Sequence, residues 1–216
     1  MDGGTTVNLF RNYLHDNNVA NNAGTGEIMC ASVNTNLTAS VYYNIIKSTG
    51  YAMWAQETAN VMTLSVYNNS VWGTNAQGLN YLLLFSGATT INLKNNIMDG
   101  GGNYSKILYC DTAGTFTRDY NNYYDWTDGT NVIYDDGWVT WAALASEEAN
   151  SINSDPLMTD PANGDFTLLT TSPCREKGTI VGLTQDYAGN VVPQGLVDIG
   201  AYEYPGGGAI FFGCNF

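Results

Sequence analysis

VNLFRNYL (7–14), ASVYYNII (39–46), LSVYNNSV (64–71), INLKNNIM (91–98) and TRDYNNYY (117–124) are five versions of one phrase. Each alternates apolar and polar residues, reaches an asparagine and then resumes. The asparagines are Asn12, Asn44, Asn69, Asn96 and Asn122, spaced by 32, 25, 27 and 26 residues. Self-similarity at such a period marks a stacked repeat, in which each unit buries its apolar face against the next.

With each asparagine as position zero, positions −5 and −3 hold Val7/Leu9, Ala39/Val41, Leu64/Val66 and Ile91/Leu93, weakening to Thr117/Asp119 in the last phrase. Alternation of this kind puts those side chains on one face of a strand and positions −4 and −2 on the other. Another strand precedes each later phrase: Glu27–Cys30, Ala52–Ala55, Tyr81–Phe85 and Lys106–Tyr109, with Asn131–Tyr134 following the last. Gly, Asn and Asp clusters such as DNNVANNAGTG and MDGGGNY separate the strands and tolerate left-handed turns. Two or three short strands per turn, each pairing with its equivalent in the next, describe an all-β, right-handed parallel β-helix of about five coils. Its stacked asparagines form an internal hydrogen-bonded ladder. The Leu/Asn grammar of leucine-rich repeats is absent, and the period is too short for propeller blades.

Bulk composition narrows the function classes. The 216 residues carry 7 Lys+Arg against 20 Asp+Glu, a net charge of −13. That balance argues against nucleic acid and against an anionic membrane surface. No apolar run is long enough to span a bilayer, so no membrane insertion is expected. MDGGTTVNLF lacks a secretory leader and enters the first repeat directly, which predicts that further coils precede residue 1. Cys30 and Cys110 fall at like positions three coils apart, about 14 Å at ~4.8 Å per strand. They are therefore expected to be free thiols.

Coils are expected over 1–136. Residues 137–204 should form a short helix (GWVTWAALASEE, with Trp138, Trp141, Leu144 and Ala145 on one face), a last coil and a cap. Residues 205–216 read as a Gly-rich apolar tail. A solenoid needs such a cap because its terminal strands otherwise leave open edges. Within the closing segment, Asp155-Pro156, Asn163-Gly164-Asp165, Ser172-Pro173, Asp186 through Gly189-Asn190, and Asp198-Ile199-Gly200-Ala201-Tyr202-Glu203 occur as an ordered set. Together they resemble the closing module of pectin-lyase-like right-handed β-helix proteins, most closely the choice-of-anchor Q domain group. Val192 stands where that module usually has Arg. The resemblance implies an exported bacterial protein, secreted or at the cell surface, and implies no defined reaction. The motifs themselves read as turns and local backbone bonds, with Asp198 buried.

Two outward columns carry candidate chemistry. Position −2 gives Phe10, Tyr42, Tyr67, Lys94 and Tyr120, flanked by Asn8, Ser40, Ser65 and Asn92. Rings at strand spacing beside small polar groups suit carbohydrate: rings cover C–H faces and polar groups bond hydroxyls. Position +3 gives His15, Lys47, Trp72, Asp99 and Asp125. Asp99 and Asp125 on adjacent coils would form a carboxylate pair, with Lys47 as a base, for a lyase or glycosidase acting on acidic glycans. Related lyases use acidic groups to hold Ca²⁺; otherwise no cofactor is implied. His15 lacks a second histidine for a metal pair, and Gly100-Gly101-Gly102 reads as a wide turn. The favoured expectation is a non-catalytic module that recognises carbohydrate or serves as a rigid scaffold. The alternatives are the lyase or glycosidase, and a structural solenoid that self-associates through an open N-terminal edge or continues into upstream coils.

Overall fold

In the computed structural model, residues 4–15, 26–32, 36–57, 61–74, 81–87, 89–112 and 114–205 are described; the tail expected at 205–216 lies outside them from residue 206 onward. The first coil contributes β1 (Thr5–Phe10), β2 (Tyr13–His15) and β3 (Gly26–Ser32). The second gives β4 (Leu37–Tyr42), β5 (Ile45–Ser48) and β6 (Tyr51–Glu57), and the third β7 (Met62–Tyr67), β8 (Ser70–Gly73) and β9 (Tyr81–Gly87). Then come β10 (Thr89–Lys94), β11 (Ile97–Asp99) and β12 (Lys106–Thr112), and finally β13 (Phe116–Asp119), β14 (Asn122–Tyr124) and β15 (Asn131–Asp135). Every third strand pairs in parallel, building sheet A (β1-β4-β7-β10-β13), sheet B (β2-β5-β8-β11-β14) and sheet C (β3-β6-β9-β12-β15). This is a parallel β-solenoid of about four turns rather than five, since five stacked strands span four coil-to-coil steps.

The three sheets enclose one apolar column. Ala39, Val41, Leu64, Val66, Ile91 and Leu93 fill it from sheet A, as the alternation predicts, and Ile46, Val71, Met98 and Tyr123 from sheet B. Cys30, Ala55, Phe85 and Cys110 share one register position in sheet C, and neither cysteine is joined in a disulfide.

Sheets A and B meet at a sharp corner. There Arg11, Tyr43, Asn68, Asn95 and Tyr120 all adopt positive φ, between 51° and 59°. Left-handed backbone costs a residue with a Cβ roughly 1–2 kcal/mol. The ladder asparagine that follows each corner offsets the cost. Asn69 Nδ2 donates to Tyr67 O in its own coil (3.1 Å), to Val41 O in the coil before (3.0 Å) and to Asn96 Oδ1 in the coil after (2.9 Å). Asn44 and Asn96 repeat the pattern. Each amide oxygen thus accepts from the coil before it. At the N-terminal end the Asn12 oxygen accepts no hydrogen bond from the described residues, and Val7, an inward residue, is 47% exposed.

The last rung corrects the sequence reading. Asn96 donates to Asn121 Oδ1 (3.1 Å), and Asn121 Nδ2 reaches Leu93 O and Asp119 O; Asn122 lies one step beyond, as the strand partner of Ile97. In the pairs 68–69 and 95–96 the second asparagine is the rung, but in 121–122 it is the first. Every position assigned to the last coil therefore shifts by one. Tyr120 belongs to the left-handed corner, and the strand partner of Lys94 is Asp119. The partner of Asp99 is Tyr124, not Asp125.

The C-terminal third differs from the expected end cap. Trp138 lies in β16 (Trp138–Thr140), antiparallel to β15, and only Trp141–Glu147 forms the helix α1. Thr140 caps that helix through Ala143 N–H, and Leu144 and Trp141 close the core. Ile152 bridges to Asn122, ending the solenoid. From there the chain runs back over the outside of sheet B. A hairpin of β17 (Met158–Asp160) and β18 (Asp165–Leu168) packs Met158, Phe166 and Leu168, with Cys174 and Ile199, onto Ile45 and Ile97. Corner asparagines pin this cover: Asn95 exchanges bonds with Thr179 (2.7 and 2.9 Å), and Asn68 donates to Asp198 O. Gly200, at φ +111°, passes so close that a Cβ would fall 2.6 Å from Ile97 Cδ1. Asp198 is buried, as read, but accepts from the distant Glu176 N–H as well as from the nearby Tyr204 N–H, and Asp186 accepts from Asn190.

Candidate functional site

The outer face of sheet C carries a cluster of large rings, with Trp54 set apart from it by Leu84. Met29, Trp54, Leu84, Tyr109 and Tyr134 share one outward register position. Tyr81, paired with Lys106, stands in the neighbouring outward column. Tyr109 and Tyr134 stack at 4.6 Å and 8°, Tyr81 tilts against Tyr109 at 4.9 Å, and Trp138 meets Tyr134 edge-on at 4.9 Å. Trp138 is 50% exposed and Met29 58%. Lys106 anchors the cluster from beneath. Its ammonium lies 4.6 Å from the Trp138 ring centre and 2.8 Å from Asp128, whose carboxyl the Lys106 hydrogen bond and Asn131 N–H hold down at about 2.

This cluster escaped the sequence reading because sheet C departs from strict alternation. In each middle strand two consecutive residues turn inward: Ala52/Met53, Leu82/Leu83, Ile107/Leu108 and Val132/Ile133. The bend hides the period of two on which face assignment depends. A signal was nonetheless present: Trp54, Leu84, Tyr109 and Tyr134 each follow such an apolar pair.

The column proposed on sheet A is only partly assembled. Phe10, Tyr42, Tyr67 and Lys94 do share an outward register. Phe10 and Tyr42 stack at 5.0 Å and 2°. Lys94 and Asp119 then interrupt the rings, and Tyr120 is not in the column.

The proposed catalytic set is dispersed. Asp99 is 7% exposed, on the covered side of sheet B, with its Oδ1 accepting from Gly101 N–H at 2.8 Å. Asp125 is exposed, in the left-handed residue after β14. Lys47 lies two strands from Asp99, roughly 10 Å away, with Trp72 between them. Its Nζ is bonded to Ala162 O at 2.7 Å. These positions do not give a base and an acid facing one substrate atom. Asp99, Gly101 and Gly102 form a tight turn in which Gly102 N–H bonds Asp125 O. Among the described residues, no group of three or more His, Cys, Asp or Glu is placed to hold a metal ion, and no helix is long and apolar enough to cross a membrane.

Asp99 does have a measurable consequence. Burial pushes its carboxyl up to about 7, with the Gly101 N–H opposing and the charges of Asp125 and Asp155 assisting. The folded state thus holds this proton more tightly than the unfolded chain, where the group titrates near its ordinary value of about 3.9. Its contribution to stability is full below that value and is lost as pH rises through 7. Thermal melts at pH 5 and pH 7.5 should show the protein less stable at the higher pH, with the difference smaller in Asp99→Asn. Identical pH dependence in both proteins would refute the assignment.

Comparison with protein families, with curated proteins and with solved structures gives no match.

Proposed function

We propose that this chain is a non-catalytic carbohydrate-recognition module of an exported β-solenoid protein, binding a polysaccharide along the outer face of sheet C. The observation that carries the reading is the cluster formed by Tyr81, Tyr109, Tyr134 and Trp138, with Trp54 beyond Leu84. Tyrosine and tryptophan offer a rigid apolar body for sugar C–H faces and a polar tip for hydroxyls, at little cost in side-chain entropy. Strand spacing repeats that offer along the solenoid axis, which suits an extended chain rather than a single sugar. The net charge of −13 favours a neutral polysaccharide, since a polyanion would be repelled. Pectin-lyase-like ancestry is part of the proposal; the ordered motifs from Asp155 to Glu203 and the solenoid fold support it.

Affinity electrophoresis through neutral and acidic polysaccharides tests the reading. Retardation should occur with a neutral polymer. Trp138→Ala should weaken it about 30-fold, corresponding to a ring anchor of about 2 kcal/mol, and Tyr109→Ala should weaken it as well. Tyr67→Ala, on sheet A, should leave it unchanged. Undiminished retardation in a folded Tyr109→Ala/Trp138→Ala protein would sink the proposal; loss only in Tyr67→Ala would move the site to sheet A.

A further inference from the structure

Between the C-terminal cover and the corner of sheets A and B lies a cavity of about 170 Å³, lined by Tyr43, Asn68, residues 179–184, Val192, Pro193 and Val197. Its walls are mostly apolar. Tyr43 packs with Val192, Val197 and Leu183 in a small cluster separate from the two larger cores. Ile180, Gly182 and Thr184 in its lining are exposed, Ile180 at 75%, so the cavity is open to solvent on that side.

Tyr43 itself is 1% exposed, and its hydroxyl has no hydrogen-bond partner among the described residues. Of the lining residues, it alone holds a buried side-chain polar atom in that state. A buried hydroxyl is costly to leave unmade, which is why such groups are nearly always paired. Nearby carboxylates do not supply the bond. Asp186 is taken by Asn190 and Glu203 N–H, Asp198 by Glu176 and Tyr204 N–H, and Glu203 by Asp198 N–H.

We propose that this cavity is a binding site for a small, uncharged, largely apolar molecule with one hydrogen-bond acceptor, which accepts a hydrogen bond from the Tyr43 hydroxyl. The volume sets the size: an apolar cavity of about 150 Å³ accommodates benzene, so a single six-membered ring fits and a peptide does not. Charge sets the class, because Glu203, Asp186 and Asp198, opposed only by Arg11, place net negative potential around Tyr43 and disfavour an anion. Burial, Glu203 and Asp186 also push the Tyr43 hydroxyl well above its ordinary value, so it remains a donor.

The test uses cyclohexanone and its near-isostere methylenecyclohexane, which lacks the acceptor, with binding followed by NMR on the Val192 and Val197 methyl groups. Cyclohexanone should give saturable shifts at both valines. Tyr43→Phe should weaken it about tenfold, the equivalent of one hydrogen bond. Methylenecyclohexane should bind both proteins equally. Val197→Phe, which fills the space from another wall, should abolish the cyclohexanone shifts while the melting temperature reports that the fold persists. Absence of saturable shifts in the unsubstituted protein would overturn the proposal. So would equal cyclohexanone affinity with and without the hydroxyl, which would mean that water satisfies Tyr43.

Discussion

Asn69→Ala should destabilise the protein by about 3–5 kcal/mol, a large part of the 5–15 kcal/mol that holds a typical domain folded. The side chain is completely buried at the middle of the ladder. Its oxygen accepts from Asn44 N–H and Nδ2, and its nitrogen serves Val41 O, Tyr67 O and Asn96 Oδ1. Truncation leaves the buried Asn44 N–H without its acceptor, strips Asn44 Nδ2 of one of three partners and removes a donor from Val41 O, Tyr67 O and Asn96 Oδ1; each buried group left unmade costs about 1–3 kcal/mol. Partial relaxation keeps the total below the sum. Asn12→Ala provides the comparison. Asn12 is only half-buried, so solvent can replace what is lost, and its effect should stay below about 1 kcal/mol. Urea unfolding of the two variants checks this directly. Similar small losses in both would mean that the ladder does not hold the corners in place.

The same asparagines explain what could be read in the sequence. Period, strand direction, the inward alternation of sheet A and four of five rungs follow from local chemistry, because a corner that needs positive φ and an internal amide repeats in every coil. The fifth rung was misread because Asn121 and Asn122 are chemically identical neighbours, and only the pairing of Ile97 with Asn122 tells them apart. That single step moved Tyr120 and Asp125 out of their proposed columns and dissolved the paired-carboxylate idea. With the register set by pairing, the apparent weakness of the last repeat also disappears: Phe116, not Thr117, continues the inward column of Ile91. The path of residues 155–204 over sheet B was not legible, because it depends on contacts more than 80 residues apart, such as Asn95 with Thr179 and Ser70 with Ala201. Asn68 and Asn95, each one residue before a ladder asparagine, hold the cover with their side chains.

Arg118→Met should cost about 3–5 kcal/mol through the charge it leaves behind rather than the contacts it removes. Arg118 pairs with Leu93, so it continues the inward column of sheet A and sits where that column meets the end of the solenoid. Its side chain is 8% exposed, and its guanidinium reaches Asp135 and Glu147 at 2.5 Å and Glu148 at 2.7 Å. Glu147 is more than half exposed and should contribute little. Glu148 is different. Its side chain is 1% exposed, and burial pushes its carboxyl upward, opposed by the Ser151 hydroxyl, Arg118 and Tyr123. Tyr123 and Ser151 donate to it, but neither can neutralise it. Without the arginine, a carboxylate remains at the capped end of the core beside Tyr123. The double variant Arg118→Met/Glu148→Gln should therefore be more stable than Arg118→Met alone, since a neutral amide keeps the shape and one acceptor oxygen while the uncompensated charge is gone. Denaturant midpoints of the wild type, both single variants and the double variant form the cycle that isolates this pairing. If Glu148→Gln restores nothing when combined with Arg118→Met, the arginine acts as packing over Phe116, whose ring lies 4.7 Å from the guanidinium, and the electrostatic account fails.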